Sequence, residues 1–500
     1  MSSPTVPRSD PDHRTSSLLL LFLITLGLLI RLSYIEQTEV DHPIRADALH
    51  YVTYGYNLYR HHTFSLATGE QPIRPDSFRS PGLPLLIAAA IAAGGERYWY
   101  DTLLQWQAIL GTLVVALTYL TGRRFLSRTA ALGAATLTAI SPHLVAMGGY
   151  ILTETLFSFL LLLSLWLFLL LAGRSGTQMA EAPSTLLLAI ACAIAFGCAW
   201  LTNETALFIP YLLILFLRRR ERQSTTTTPL PRRTIAVMLV LFTLFPLTWN
   251  LRNLLEQIPP QLRGQARALA TMAHGSYPDY LYKNPELRYY PYRDDPHFQE
   301  YSASFSNFIR ILAHRASEEP LRYLRWYLFD KPRTLWTWNI LQGQGDVYVY
   351  PVTRSLYQND PLWDVTRRAM KLLHPVILLL ALAALPLWLR RRKQEADATP
   401  ATAPVGAGVM MLLLIYYTLL YNCFATWPRY AVPLRPELYL WSMWGLEALV
   451  TIILRRHSCP TSPADGQHRN PPHPAALHDG HTDTIVMDKA IDAHPVNRAG

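Results

Sequence analysis

The chain has 500 residues, half of them hydrophobic and only 16% charged, where a soluble domain would carry about a quarter charged residues. The apolar residues fall in runs long enough to cross a bilayer, which takes about 20 residues. The mean hydropathy of +0.12 therefore describes long spans diluted by polar loops, and a soluble globular protein is excluded. The net charge of +10 does not point to nucleic acid, because the basic residues cluster beside the hydrophobic runs, where they orient helices.

Residues 1–16 are polar and rich in Pro and Ser, and are expected to be a disordered cytoplasmic lead. The run from Ser17 to Ile35 is too long for a signal-peptide core and lacks a small-residue cleavage site, so it reads as an uncleaved first span. Further spans are expected near 103–121, 129–147, 152–173, 185–202, 205–217, 234–250, 374–389, 405–423 and 438–454. The segment Leu83–Gly95 is apolar but short, and fits an interfacial or re-entrant helix better than a crossing.

Charge tests this count. With ten spans and a cytoplasmic N-terminus, the four inner connections and the start of the tail hold sixteen Lys and Arg, whereas the short outer connections hold only Arg429 and Arg435. That is the asymmetry the positive-inside rule demands. Two long segments, 36–102 and 251–373, then lie outside. The second carries a predicted amphipathic helix near 300–329 and many aromatics, Trp326, Trp336 and Trp338 among them. The tail 457–500, rich in His, Pro and Asp, is expected to be disordered and cytoplasmic. Cys192, Cys198, Cys423 and Cys459 show neither zinc spacing nor a disulfide framework.

Ionisable residues near spans are costly and ask for a reason. Arg31, Glu154, Glu204, Arg252 and Arg429 all fall at the outer ends of their spans, and only Glu447 sits well within one. A transporter would gather acids near the midplane, whereas charge at one interface suits chemistry at the membrane surface.

In the first outer loop, Asp47, His50, Tyr51 and Tyr54 recur at helical spacing and share a face. A carboxylate there could take a proton from an acceptor hydroxyl, cap its own helix, or join His50 on a divalent metal. Further on, Arg79-Ser80-Pro81-Gly82-Leu83-Pro84 makes a rigid turn that places Arg79 at phosphate depth. A guanidinium there suits a lipid phosphate bidentately, and snorkelling to headgroups is the simpler alternative.

Taken in order, these pieces resemble the GT-C glycosyltransferases, nearest the bacterial relatives of protein O-mannosyltransferases and of the lipid A aminoarabinose transferase (the family 39/83 type). The residues carrying the likeness are Asp47 with Tyr51 and Asn57-Leu58, then Arg79-Ser80-Pro81-Gly82-Leu83-Pro84-Leu85. Thr153-Glu154, Gly197…Leu201-Thr202, Trp249-Asn250-Leu251-Arg252-Asn253 and Arg429-Tyr430…Pro433…Pro436 follow. Two departures stand out. Ala48 follows Asp47 where many members carry a second acid, and Asn203-Glu204 replaces Arg-Pro.

The resemblance implies an all-α integral membrane protein of about ten transmembrane helices with two long outer loops. Its catalytic module would cover 17–254 with the first outer loop at 36–102. An outer aromatic-rich loop at 255–373 would follow, then variable C-terminal helices at 374–456. It also implies inverting transfer from a polyprenyl-phosphate sugar to a lipid, glycan or protein hydroxyl, on the periplasmic side of a bacterial inner membrane. Asp47 would be the general base. Glu154, Arg79, Arg252, Arg429, Tyr51, His50 and Tyr430 would bind substrate, with no certain cofactor beyond an optional divalent metal. Two other readings share the spans. A lipid-linked glycan flippase would show internal repeats and midplane charge, and a non-catalytic scaffold would leave Asp47 dispensable.

Overall fold

A computed structural model describes residues 11–69, 72–223, 229–397 and 405–457. Residues up to Ile453 form one compact unit. Of the second unit, Leu454–Gly500, only the end of the last helix is described. The expected disordered tail, and the lead before Pro11, lie outside the described residues.

The chain folds almost entirely as helices. In order, α1 (Pro11–Gln37), α2 (Ala46–His61), α3 (Gly82–Gly122), α4 (Arg128–Ile140), α5 (Pro142–Met147) and α6 (Glu154–Ala172) come first. Then follow α7 (Pro183–Thr202), α8 (Ile209–Gln223) and α9 (Arg232–Leu255). The segment after α9 holds only short helices: α10 (Gly264–Gly275), α11 (Phe298–Tyr301), α12 (Phe305–Glu318), α13 (Pro320–Arg325), α14 (Lys331–Leu335) and α15 (Leu356–Asn359). The chain returns through α16 (Pro361–Asp397), α17 (Val405–Cys423) and α18 (Arg435–His457).

Eight helices among the described residues are long and apolar enough to cross a membrane. This is an integral membrane protein. Two of the expected spans, 129–147 and 205–217, are shorter: the first is split into α4 and α5 at Ser141-Pro142, and the second is the 15-residue α8.

Three boundaries differ from those expected. The described part of helix α1 already includes residues 11–16, inside the stretch expected to be disordered. Helix α16 begins thirteen residues before the expected span, because the Asp360 carboxylate accepts the amides of Leu362 (2.9 Å) and Trp363 (3.2 Å) and caps a polar first turn. The predicted amphipathic helix near 300–329 is broken at Glu319-Pro320, where proline removes a backbone donor.

The apolar segment from Leu83 is continuous with the next span in α3, with a bend at Gly95 (φ 67, ψ 175). That conformation is cheap only for glycine. The thirteen residues before the bend reach about 20 Å at 1.5 Å per residue, short of the roughly 30 Å hydrocarbon core. Helix α3 is the hub, packing on α1, α2, α4 and α6. Its first residue, Gly82, abuts the end of α7: a Cβ there would lie 2.4 Å from Thr202 Oγ1.

At the end of the bundle where α1 and α9 finish, β1 (Glu39–Val40) pairs antiparallel with β2 (Val352–Arg354). This ties the chain after α1 to the long segment between α9 and α16. Some aromatics of that segment are packed inward, whereas Phe305 and Phe329 are exposed. Trp326 and Trp338 are 3% and 7% exposed, and Tyr280 stacks on Trp427 with ring centres 4.8 Å apart. Two histidines anchor the layer to the bundle, His143 Nε2 to the Trp338 carbonyl (2.8 Å) and His374 Nε2 to the Trp336 carbonyl (2.7 Å).

Within the layer, the Lys331 amine is fully buried without a hydrogen-bond partner, over the Tyr327 ring at 4.6 Å. Burial pushes it down to about 7. A base whose folded value is depressed costs stability as pH falls from the free-amine value towards the folded one, and the cost then levels off. Lys331→Met should therefore raise the thermal midpoint in detergent, by more at pH 6 than at pH 9. An equal gain at both would show that the amine's charge is not the penalty.

Candidate active site

The site is built at the bundle end where α1, α7 and α9 finish and α3 and α6 begin. Arg45 precedes α2 in an extended conformation, and Ala46 has a positive φ of 46, a strain of about 1–3 kcal/mol that points to a functional constraint. Asp47 follows in the first turn of α2.

Its two carboxylate oxygens are taken by two arginines from distant parts of the chain. Arg79 Nη2 donates to Asp47 Oδ1 at 2.6 Å, and Arg429 Nη2 donates to Oδ2 at 2.8 Å. Arg429 Nε in turn lies 2.9 Å from Glu154 Oε1, an ion-pair contact whose angle falls outside hydrogen-bond geometry. The result is an alternating row, Glu154–Arg429–Asp47–Arg79. Side-chain exposure rises along it from 7% at Glu154 and 9% at Arg429 to 26% at Asp47.

The other predicted side chains join this row. His50 Nδ1 accepts from Arg79 Nε at 3.2 Å. The Arg79 guanidinium sits over the Tyr51 ring at 5.5 Å, and that of Arg429 over the Tyr430 ring at 5.4 Å. Desolvation would raise the Asp47 carboxyl, but the guanidiniums of Arg429 and Arg79 outweigh it and hold the group well below the usual carboxylate range. Burial, helped by the charge of Arg79, lowers His50, so its imidazole is neutral and can accept.

Arg252 stands outside the row. Its Nη1 donates to the Asp76 carbonyl at 2.8 Å and its Nη2 to the Phe64 carbonyl at 3.4 Å, and it rests over Trp249 at 4.9 Å. The carboxylate of Asp76 accepts from the Tyr54 hydroxyl and from the amides of Leu66 (2.7 Å) and Phe78 (3.2 Å). Arg252 and Asp76 thus fold the 64–78 loop that delivers Arg79. Sequence reading also missed Arg267, which pairs with Glu204 at 3.1 Å and donates to the Phe78 carbonyl at 2.9 Å. It lies in a segment with no motif, and the unexplained Glu204 was the one hint of a cation opposite.

Among the described residues, no group of three or more His, Cys, Asp or Glu side chains could hold a metal ion. Asp47 and His50 share Arg79, whose charge opposes a cation between them. These residues do not fit a divalent-metal site.

Glu447, the acid expected within a span, reaches the start of α4 and accepts from the Ser127 amide at 3.3 Å, where a carboxylate complements the helix dipole.

Residues 54–257 match the family model of the oligosaccharyl transferase STT3, N-terminal domain, which is less than half of the chain. The match bears out the likeness to GT-C glycosyltransferases carried by the ordered motifs. No curated protein matches. Similar solved structures include the archaeal oligosaccharyltransferase AglB from Archaeoglobus fulgidus in complex with an inhibitory peptide and a dolichol-phosphate. That comparison gives a TM-score of 0.46 and 13% identity over 92% of this chain and 53% of the other. The same organism's oligosaccharyltransferase tethered with an acceptor peptide gives 0.49 and 13% over 88% and 50%. ArnT from Cupriavidus metallidurans bound to undecaprenyl phosphate gives 0.42 and 14% over 87% and 63%. The chain thus spans about half the length of the first two.

Removing one member of a buried pair leaves the other charge uncompensated, which costs about 3–5 kcal/mol. Arg429→Gln should destabilise the protein on that scale, and adding Glu154→Gln should recover part of the loss. Additive losses in unfolding experiments would show that the 2.9 Å contact carries no coupling.

Proposed function

We propose that the chain is a membrane glycosyltransferase that moves a sugar from a polyprenyl-phosphate donor to an acceptor hydroxyl at the outer face. The observation that carries this reading is the single carboxylate of Asp47 held between two guanidiniums at one end of the bundle. The match over 54–257 to a glycosyl-transferring family supports it.

The reaction follows from the groups present. The acceptor oxygen attacks the anomeric carbon while its proton passes to the Asp47 carboxylate. The bond from that carbon to the phosphate oxygen breaks on the opposite side, so the configuration inverts, and the electron pair leaves with the lipid phosphate. Arg79 is the cation to neutralise the charge that develops there, where preorganised cations contribute most, while Arg429 stays on Asp47. Glu154 fixes Arg429, and Tyr51, His50 and Tyr430 wall the site. Arg252 acts one step back, by holding the loop that carries Arg79. The packed aromatic layer after α9 would keep water, a competing acceptor, out of the site.

A flippase reading is weaker, because Glu447 is committed to the start of α4 instead of facing a central cavity. The expected bacterial inner membrane rests on the family resemblance, and the outward orientation of the site on the Lys and Arg asymmetry.

Asp47→Asn leaves Arg79 and Arg429 without their shared anion and should cost stability, and per folded molecule it should lower transfer by about 10²–10⁴-fold, the scale of general-base catalysis. Mass spectrometry of envelope glycans and polyprenyl-phosphate sugars, with and without the protein, reads this. A lipid-linked sugar should accumulate both in the null strain and in the variant. Normal transfer by Asp47→Asn would remove Asp47 as the base.

A further inference from the structure

A general base works best when its pKa lies near the operating pH, yet Asp47 has both oxygens occupied by cations. The carboxylate ready to accept a proton must therefore differ from the one seen here. The two arginines are not equivalent. Arg429 lies in the buried segment Pro428–Leu434, is 9% exposed, and is held by a second carboxylate, Glu154. Arg79 sits in the turn before α3 and has one carboxylate partner and one neutral one, the His50 ring. With no second carboxylate to hold it, Arg79 is the guanidinium that a ligand anion can recruit. Two parallel N–H···O bonds to a phosphate match the guanidinium fork, and they replace the single bond it makes to Asp47 Oδ1.

We propose that the donor's phosphate itself unlocks the base: it draws Arg79 away from Asp47, while Arg429 stays clamped by Glu154. This rests on the transferase reading. Asp47 then keeps one cation instead of two, and its affinity for the acceptor proton rises only when a donor is in place. Without donor the base is silent, so an acceptor bound alone is not activated. The groups facing Asp47 are His50 and Tyr51 on its own helix, Arg79 before α3, Glu154 on α6, Arg429 with Tyr430 before α18, and Tyr350 from the segment before α16. Of these, only Arg79 is asked to change partner. Exchange of this kind lets the same guanidinium guard the base and then receive the leaving group.

The test is infrared difference titration of the full chain in detergent or nanodiscs. The protonated-carboxyl band of Asp47 is identified by its loss in Asp47→Asn. Undecaprenyl phosphate is the probe, and its binding is followed separately by native mass spectrometry. The probe should move the Asp47 titration up by about two pH units, roughly a hundredfold in proton affinity. Arg79→Gln should show the raised titration without probe and no further shift with it. Bound probe that leaves the titration where it was, or a probe shift that persists in Arg79→Gln, would overturn the unlocking while leaving the transferase reading intact. Failure of the wild-type chain to bind the probe at all would remove both.

Discussion

The row Glu154–Arg429–Asp47–Arg79 is the interaction on which the architecture of this end of the molecule depends. Its members come from α6, the segment before α18, α2 and the turn before α3, so it closes elements from three parts of the chain onto one another. Each charge is flanked by the opposite sign, which is what allows groups this buried to stay ionised. The row is closed at Glu154 and Arg429, and within it Asp47, at 26%, is more exposed than Arg79, at 13%.

The Arg79 end is itself constructed. Arg79 reaches Asp47 because Asp76 gathers Tyr54, Leu66 and Phe78 into a tight loop, and Arg252, from the end of α9, pins that loop by its carbonyls. Arg267 adds a second clasp at Phe78. Strain at Ala46 belongs to the same construction, since it turns the first residues of α2 so that Asp47 enters the bundle. Rigid positioning of this kind is the part of catalysis that a scaffold can supply in advance.

Much of this was legible in the sequence, for definable reasons. Spans reveal themselves because the bilayer imposes length and apolarity together, and α17 starts and ends where its run does. Helix α16 did not, since its capped first turns are polar and only the structure shows Asp360 holding them. The site was legible as a set of residue types at one membrane depth. What sequence could not give was the partnering: Arg429 and Asp47 are 382 residues apart, and nothing local says which arginine meets which acid. For the same reason sequence could not say that Arg252 bonds the Asp76 and Phe64 carbonyls and Asn253 Oδ1. Lys331 gave no signal either, because burial in a polar, aromatic loop follows no periodicity.

The absence of a second acid beside Asp47 now has a physical sense. Ala48 is completely buried, so a carboxylate in its place would enter the packed interior of α2 with no cation set to meet it, at a cost of several kcal/mol. A site with paired acids attracts cations and suits a metal; a site with one acid between two guanidiniums attracts anions. The same row that keeps Asp47 ionised therefore also selects what can approach it. On the proposed reading, Arg79 is the group that would meet a donor phosphate. The local choice of alanine at 48 and the distant choice of arginine at 429 are in this way two halves of one electrostatic arrangement.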